Sequence, residues 1–304
     1  MIFNLDSSIN QKIDVPNRFG IELFMKREDQ IHAHISGNKY RKLKYNLKEA
    51  ARQGFKKIVT FGGAYSNHIA AVAAAGNEFG FNTVGVIRGE ELKYKINTNP
   101  TLLFAQSQGM EFYFISRSAY KEKDSHDFIE TLRAKFGHFY LVPEGGTNQL
   151  AVKGCEEIIS PKDINFNYVC CAVGTGGTIS GLINASSSEQ KILGFPVLKG
   201  DFLSDIISKF VSKKNWELIT NYHFGGYAKV STELITFINE FKEHYGIPLD
   251  PVYTGKLLFG VIDMIHKGNF APNSKILVIH TGGLQGITGM NEQLKLKRLP
   301  QINV

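Results

Sequence analysis

The sequence predicts an α/β protein of two lobes, each an open, mostly parallel twisted sheet covered by helices. Short apolar runs alternate with helical patterns along nearly the whole chain of 304 residues, which is typical of repeated βα units. The runs are almost continuously apolar, as strands are when helices cover both faces of a parallel sheet. A chain of this length can bury a core in each of two lobes without disulfides or metal.

Repeated βα units account for the first half of the chain, after an extended segment at IELFMKRED. In such folds ligands bind outside the carboxyl ends of the strands, so the turns that follow the strands are the candidate sites. The predicted strands are KKIVTFGG, NTVGVIRG, EFYFIS and HFYLVPEGG. The predicted helices are SNHIAAVAAAGNEFG, NPTLLFAQSQG and SHDFIETLRAKFG.

The same alternation resumes past Gln149 with a helix and the strand NYVCCAV. A glycine-rich turn and a helix follow, and then the strand KILGFPVL and the predicted helix DFLSDIISKFVSK. Further units lead to the last strong strand, KILVIHTGG. The second half is therefore also predicted to be a parallel sheet with helices on both faces.

The boundary between the lobes is expected near the turn-rich segment VPEGGTNQLAVKG, because domain boundaries fall in polar segments rich in glycine and proline. Residues 44–155 are predicted to form a smaller α/β domain. Residues 1–43 together with 156–304 are predicted to form the larger domain.

The composition is basic, with 35 Lys and Arg against 28 Asp and Glu, which leaves nucleic acid, a membrane surface or a small anionic ligand open as partners. Cys155, Cys170 and Cys171 are too few for a disulfide framework and lack zinc-binding spacing, so a reducing, cytoplasmic location and no metal are expected. The first residues show no basic segment followed by an apolar run, and no stretch reaches the roughly 20 apolar residues of a spanning helix. A secreted or membrane-embedded protein is not expected.

One lysine of the basic segment HISGNKYRKLKYN is predicted to differ from the others. With Asn38 as the N-cap, residues 39–54 form a helix on which Lys39 shares the apolar side with Leu43 and Leu47, while Lys42 lies between the two sides. Lys39 either extends its amine to solvent or holds it partly desolvated, with a lowered pKa that makes it a nucleophile. Four charged residues on the opposite side are expected to face water: Arg41, Lys44, Lys48 and Arg52.

The segment from Gly174 to Thr178 follows a buried strand and begins a helix. Glycines let successive N–H groups turn toward an anion, and the helix N-terminus favours negative charge, so this segment predicts a phosphate site. A tight strand-to-helix turn and a dinucleotide site are the alternatives. The dinucleotide alternative requires an acidic residue about 20 positions further on, where Asp201 is roughly placed. No GKS or GKT follows the turn, which excludes a P-loop.

Three further turns carry polar groups after predicted strands or at helix starts. In the first, Ser66 or Asn67 could be a simple helix cap, and His68 a hydrogen-bonded structural residue. Together the turns place hydroxyls, an amide and backbone donors on one rim, which suits a phosphorylated aromatic cofactor better than a metal. The groups concerned are Gly62, Gly63, Ser66, Asn67 and His68 in the first turn, Tyr253 and Thr254 in the second, and Thr281, Gly282 and Gly283 in the third.

The motifs SGNKYRKL, GG-x-x-SNH, VGTGGT, DPVYTGK and HTGG, in this order over nearly the whole chain, resemble those of the 1-aminocyclopropane-1-carboxylate deaminase and D-cysteine desulfhydrase family. These are pyridoxal-phosphate enzymes of the tryptophan-synthase-β-like fold, fold type II. The resemblance implies a homodimer, a small amino acid as substrate, and a larger domain that binds the cofactor.

The resemblance also implies a role for each matching residue. Lys39 would hold the cofactor covalently and act as the catalytic base, with Ser66, Tyr227 and Tyr253 as further catalytic groups. The predicted cofactor-binding residues are Lys39, Asn67, Gly174, Thr175, Gly176, Gly177, Thr178, Thr254 and Thr281. The predicted substrate-binding residues are Tyr65, Ser66, Asn67 and His68.

Two departures from the family pattern bear on the reaction. Deaminases of the family carry Glu after the tyrosine of the VY motif, where a carboxylate would keep the pyridine nitrogen protonated, whereas this chain has Thr254, as in the desulfhydrase branch. A neutral hydroxyl favours β-elimination from a D-cysteine-like substrate over opening of a cyclopropane. The second departure is Tyr65, where both branches usually carry Gln, and it leaves the pocket shape open.

Several alternatives remain open at this point. They are deamination of 1-aminocyclopropane-1-carboxylate, a fold type II racemase or synthase, a nicotinamide oxidoreductase, and a nucleic-acid-binding protein. The last rests on the basic helix face alone, without interleaved aromatic residues.

Overall fold

The computed structural model describes residues 5–35 and 37–303, and helices and strands alternate through most of them. The strands are β1 (Asn10–Ile13), β2 (Glu22–Lys26), β3 (Lys57–Gly62), β4 (Asn82–Arg88), β5 (Glu111–Ile115), β6 (Tyr140–Val142), β7 (Tyr168–Val173), β8 (Lys191–Pro196), β9 (Trp216–Leu218) and β10 (Lys275–Ile279). The helices are α1 (Asn38–Arg52), α2 (Asn67–Phe79), α3 (Pro100–Ser107), α4 (His126–Phe136), α5 (Gln149–Glu156), α6 (Gly177–Ala185), α7 (Phe202–Ser208), α8 (Thr232–Tyr245), α9 (Thr254–His266) and α10 (Gly286–Leu296).

The strands of the described residues form two sheets. The larger sheet has the order β1-β2-β10-β7-β8-β9, and all its neighbours are parallel except β1 and β2. The smaller sheet has the order β5-β4-β3-β6 and is parallel throughout. The predicted fold class is confirmed: the protein has two lobes, each an open parallel sheet with helices.

Local sequence explains where several helices begin and end. Ser66 caps α2 by accepting a hydrogen bond from the N–H of Ile69 (3.3 Å), and Gly80 ends the helix in the left-handed conformation (φ 75°). Asn99 caps α3, and Pro100 occupies its first position. These capping residues can be recognised in the sequence, so the predicted bounds of both helices are close to the observed ones.

Each lobe has its own apolar core. In the smaller lobe, Leu43 and Leu47 of α1 pack with Ile69 and Val72 of α2. The domain limits predicted at residues 44 and 155 therefore fall inside helices, since α1 spans the first and α5 the second. The division of the chain at these residues stays a prediction.

The basic helix α1 differs from its prediction in two ways. Its N-cap is Gly37, and Asn38 is its first residue. The expectation that four charges face water is wrong for Arg41, which is 2 % exposed and donates two hydrogen bonds to the buried carboxylate of Glu28 (2.7 and 2.8 Å). Lys44 is only partly exposed and pairs with Glu157. Helical periodicity could not show this, because the partners come from distant segments of the chain.

Other differences are smaller. The predicted helix DFLSDIISKFVSK ends at Ser208, where the backbone leaves the helix. A 3-10 helix over Glu90–Thr98 was not predicted. None of the helices in the described part of the chain is both long and apolar enough to cross a membrane.

The buried pair between Arg41 and Glu28 gives a stability prediction. Arg41→Met leaves a fully buried carboxylate without its cation, which should lower the free energy of unfolding by about 3 kcal/mol. Arg52→Met is the matched control on the same helix, since Arg52 is exposed and, among the described residues, forms an ion pair with Glu49 alone, and it should leave stability nearly unchanged. Urea unfolding followed by circular dichroism measures both. Equal midpoints for the two variants would contradict the assignment.

Candidate active site

A cavity of about 420 Å³ lies between the two sheets. Its wall combines residues that end or follow strands of both sheets, as expected for parallel α/β folds. The smaller lobe contributes Gly63 after β3, Arg88 at the end of β4 and Glu144 after β6. The larger lobe contributes Gly174 after β7 and Thr281 after β10. The first turn of α1 completes the wall with Asn38, Lys39 and Lys42.

Lys39 lies in the first turn of α1 and lines this cavity. Its Nζ donates a hydrogen bond to Asn38 Oδ1 at 3.3 Å. Burial of the amine and the nearby positive charge of Lys42 lower the pKa of Lys39 to about 7. A large fraction of the amine is therefore neutral near pH 7 and can act as a nucleophile or a base.

The position of Lys39 depends on close contact between the start of α1 and the turn after β10. Gly37 has a φ of 61°, and a Cβ at this residue would lie 1.8 Å from the carbonyl oxygen of Thr281, so only glycine fits. The same carbonyl accepts a hydrogen bond from the N–H of Asn38 (3.3 Å). The Asn38 side chain does not cap the helix but donates to Thr178 Oγ1 at 2.8 Å. Asn38 thus joins α1 to the start of α6.

A cluster of hydroxyls and one buried cation lies beside the glycine-rich turn. Lys42 is 2 % exposed, and its Nζ donates to the carbonyl oxygen of Gly145 (3.0 Å), Thr147 Oγ1 (3.0 Å) and Thr175 Oγ1 (3.4 Å). Burial lowers the pKa of Lys42. Within residues 5–35 and 37–303, no carboxylate forms an ion pair with this amine. We call Lys42, Thr147, Thr175 and the start of α6 at Gly176 the anion cradle.

The anion cradle fits a phosphate group. A buried ammonium without a carboxylate partner is unfavourable unless an anion binds beside it, and hydroxyls together with a helix N-terminus are typical phosphate donors. Gly176, the N-cap of α6, has a φ of 82° and can bring the backbone close to such a group. The sequence left Lys42 undecided and missed Thr147, because its segment is brought to the cradle only by the fold.

The turn after β3 brings Ser66, Asn67 and His68 to the cavity wall. Ser66 caps α2, as one of its two sequence interpretations predicts, and its role toward the substrate stays a prediction. The Asn67 side chain lies against the turn after β10, where a Cβ on Gly283 would be 2.6 Å from Asn67 Nδ2. His68 Nε2 is 2.7 Å from Thr60 Oγ1. Burial and the positive charges of the neighbouring lysines hold the pKa of His68 well below its usual value, so the ring is neutral.

Tyr227 and Tyr253 meet at the cavity with ring centroids 6.3 Å apart and an angle of 73°. Tyr253 lies close to the glycine-rich turn, since a Cβ on Gly174 would be 3.2 Å from its ring. Burial raises the pKa of Tyr227, and it raises that of Tyr253 well above the ordinary value. Both phenols are therefore protonated near neutral pH and can donate protons.

Thr254 is a correction to the sequence analysis. Its side chain is fully buried and does not line the cavity in the described part of the chain. Its hydroxyl donates to Asp250 Oδ2 (2.8 Å) and accepts from the N–H of Asp250 (2.8 Å). The hydroxyl is thus engaged with Asp250, and the predicted contact of Thr254 with the cofactor gains no support from this geometry. Asp250 lines the cavity instead, and sequence analysis missed it because it lies four residues before the expected position.

The remaining predicted residues lie on the cavity wall, apart from Gly177 behind the cradle. Thr281 is 8 % exposed and faces the cavity after β10. Tyr65 is 41 % exposed at the mouth. Its ring packs on Gly289 of α10, where a Cβ would lie 2.6 Å away. A smaller residue at position 65 would leave this part of the wall open, so Tyr65 narrows the pocket on the smaller lobe's side.

The site defines a class of protein. A lysine with a pKa near 7, next to a buried anion cradle at the carboxyl ends of parallel strands, can hold a phosphorylated carbonyl cofactor through its amine.

The comparisons with known proteins identify the class further. The chain belongs to the family of pyridoxal-phosphate dependent enzymes, which it matches over residues 11–282, and pyridoxal phosphate is its cofactor. It is 32 % identical to the bifunctional D-cysteine desulfhydrase/1-aminocyclopropane-1-carboxylate deaminase of Arabidopsis thaliana, over 92 % of this chain and 76 % of the relative. It is 27 % identical to a D-cysteine desulfhydrase of Klebsiella pneumoniae, over 91 % of this chain and 92 % of the relative.

Solved structures agree with this assignment. A crystal structure of an ACC deaminase homologue has a TM-score of 0.80 and 27 % identity, and the match covers 97 % of this chain and 95 % of that one. An O-acetylserine dependent cystathionine β-synthase of Helicobacter pylori has a TM-score of 0.68 at 15 % identity, covering 90 % of this chain and 92 % of that one. The latter supports the fold alone, which is that of fold type II enzymes.

Cofactor retention should depend on the anion cradle. We expect Lys42→Met to raise the dissociation constant of pyridoxal phosphate about tenfold or more, because it removes a charge-assisted hydrogen bond from a buried site. Thr175→Ala should weaken retention less, since it removes one neutral hydroxyl. Lys48→Met is the control, as Lys48 is an exposed lysine of the same helix. Retention is measured by equilibrium dialysis, and unchanged binding in both cradle variants would show that the turn is only structural.

The lowered pKa of Lys39 predicts a distinctive pH dependence. In cofactor-free protein, the neutral amine is the minority form below about pH 7 and the majority form above it. Modification of Lys39 by pyridoxal, trapped with borohydride, should rise about tenfold between about pH 6 and pH 8 and then level off. Mass spectrometry of the Lys39 peptide gives the rate. A rate that still rises steeply above about pH 9 would mean that the amine has an ordinary pKa.

Proposed function

We propose that this protein is a pyridoxal-phosphate dependent lyase that eliminates the β-substituent of a small amino acid, with D-cysteine as the simplest substrate. D-cysteine and one water would give pyruvate, ammonia and hydrogen sulfide. The observation that carries the proposal is the Lys39 amine with its lowered pKa on the same cavity wall as the anion cradle. The names of the Arabidopsis and Klebsiella relatives support this substrate class.

The cofactor, when bound, withdraws electrons from the substrate's Cα. The anion cradle would hold its phosphate, and Thr281 would face its ring. Lys39 would hold the cofactor through its Nζ, and the same amine would serve as the base that takes the proton from Cα; in the cofactor-free site its pKa is already lowered to about 7.

The remaining side chains of the cavity would contact the substrate at its α-carboxylate and at its leaving group. Ser66 and Asn67, at the start of α2, would bind the α-carboxylate, since a helix N-terminus favours an anion. Tyr253 Oη and Tyr227 Oη are protonated near neutral pH and would donate a proton to the leaving thiolate. Neutral His68 lies behind the carboxylate position and adds no charge there. Tyr65 at the mouth limits the size of the side chain that enters.

Deamination of 1-aminocyclopropane-1-carboxylate is the second candidate, and the Arabidopsis relative's bifunctional name is the observation that favours it. Opening the ring requires a strongly electron-withdrawing cofactor, which a free carboxylate at the pyridine nitrogen would provide. Two carboxylates of the described residues line the wall, Asp250 and Glu144. Both oxygens of Asp250 already accept hydrogen bonds from backbone or hydroxyl donors. Glu144 accepts a hydrogen bond from the hydroxyl of Tyr120 (2.8 Å) and pairs with Lys123 (3.5 Å). This arrangement favours elimination from the sulfur substrate.

We further propose a cytoplasmic homodimer. The free cysteines Cys155, Cys170 and Cys171 are all buried, which is consistent with a reducing compartment. The homodimer rests on the resemblance to the family described above.

The substrate test uses D-cysteine and 1-aminocyclopropane-1-carboxylate in separate reactions with protein loaded with pyridoxal phosphate. We expect pyruvate and sulfide from D-cysteine and no 2-oxobutanoate from the cyclopropane, measured by chromatography of the 2-oxo acids. Lys39→Ala should abolish product and the absorbance of the lysine-bound cofactor, which ties turnover to this amine.

Two other outcomes of the substrate test are informative. 2-Oxobutanoate from the cyclopropane would contradict the argument from Asp250. Product from neither substrate, followed by activity in Tyr65→Gln, would show that Tyr65 excludes both of them. Undiminished activity in Lys39→Ala would contradict the assignment of the base.

A further inference from the structure

Lys256 is a buried lysine that the proposed reaction does not use. It lies in the first turn of α9 and is 1 % exposed. Its Nζ donates hydrogen bonds to the carbonyl oxygens of His223 (2.9 Å) and Gly226 (2.8 Å). No carboxylate of the described residues forms an ion pair with it. Burying a lysine is costly, so two carbonyl acceptors in one loop indicate that the ammonium restrains that loop.

The loop concerned, residues 223–229, has an unfavourable backbone conformation. Phe224 and Ala228 have φ angles of 52° and 53°, and Gly225 and Gly226 lie at 91° and 118°. A non-glycine residue in the left-handed region costs roughly 1 kcal/mol or more. Such a conformation persists only where surrounding contacts hold it. The two hydrogen bonds from Lys256 are contacts of this kind.

The same loop carries Tyr227 to the cavity. Tyr227 meets Tyr253, and Tyr253 immediately precedes α9, three residues before Lys256. The start of α9 therefore places Tyr253 at the cavity, and through Lys256 it holds the loop that carries Tyr227. The distance between the two phenols is fixed through a short, rigid element.

We propose that Lys256 is a positioning residue, whose ammonium holds the carbonyls of residues 223 and 226 so that Tyr227 is set against Tyr253 at the cavity. The restraint itself follows from the loop's geometry. Its consequence for turnover rests on the proposed role of the two tyrosines in elimination. Misplacing a catalytic group by about 1 Å can lower a rate by about a hundredfold.

The chain offers a matched control at the opposite end of α6 from the anion cradle. Lys213 Nζ also donates to two loop carbonyls, those of Asn184 (2.8 Å) and Ser186 (2.5 Å). Lys213 does not line the cavity within the described chain. Lys213→Met removes the same kind of contact but leaves the loop of residues 223–229 unchanged. An effect seen in both variants therefore reports a general loss of stability, and an effect seen in Lys256→Met alone reports a loss of positioning in this loop.

The first experiment measures the loop without using activity. Trypsin is applied to the cofactor-loaded wild type, Lys256→Met and Lys213→Met, and cleavage after the exposed Lys229 is followed by mass spectrometry. We expect cleavage at Lys229 about tenfold faster in Lys256→Met and unchanged in Lys213→Met. Cleavage at Lys229 that is equally slow in wild type and Lys256→Met would overturn the restraint, whether or not the protein acts on D-cysteine.

The second experiment tests the link to the tyrosine by a double-mutant cycle on the substrate that the wild type converts. We expect Lys256→Met to lower kcat about tenfold to a hundredfold with a smaller change in KM, and to add little further loss in a Tyr227→Phe background. Additive losses would show that Lys256 does not act through Tyr227. A wild type that converts neither substrate would contradict the proposed function, while the trypsin comparison would still decide the restraint.

Discussion

The arrangement of the cavity depends on the close packing of Gly37 against the carbonyl of Thr281. This contact sets the start of α1, which belongs to the core of the smaller lobe, directly on the strand end of the larger lobe. The amine of Lys39 and the ammonium of Lys42 follow within the next helical turns. A side chain at position 37 would push α1 away and separate Lys39 from the turn after β10. Both lobes therefore contribute to the site through one backbone contact.

Buried positive charge links the site to the rest of the fold, and the buried cations of α1 and α9 differ in what stabilises them. Arg41 has a bidentate carboxylate partner, Glu28, and joins α1 to the segment that follows β2. Lys256 has only carbonyl acceptors, which is suited to holding a loop. Lys42 has hydroxyls and a carbonyl but no carboxylate in the described chain, so a bound phosphate would supply the missing negative charge. Lys39 is left with little stabilisation of its charged form, and its pKa falls accordingly.

The fold and most of the cavity wall could be predicted from the sequence because both depend on local patterns. Continuous apolar runs identified the parallel strands, and the glycine turns after β7 and β10 identified their carboxyl ends. Lys39 could be singled out by the periodicity of α1. Periodicity failed for Arg41, because Glu28, in the short 3-10 helix Glu28–Gln30 after β2, pairs with it, and no local pattern records this contact. Thr147 and Asp250 were missed for a related reason, since the contact of Thr147 with Lys42 and the place of Asp250 on the cavity wall arise only when separate segments meet.

Asp250 is a buried carboxylate on the cavity wall whose hydrogen bonds, among the described residues, are all made within one turn. Its Oδ1 accepts the N–H groups of Val252 and Tyr253, and its Oδ2 accepts the N–H and the hydroxyl of Thr254. Each oxygen already accepts two hydrogen bonds. The carboxylate therefore stabilises the turn that begins α9. This turn also sets the direction of Tyr253 toward the cavity and of Lys256 toward the loop of residues 223–229. A carboxylate engaged in this way positions proton donors and does not protonate a ring nitrogen. Under the proposed function, this arrangement favours protonation of a departing thiolate over opening of a strained carbon ring.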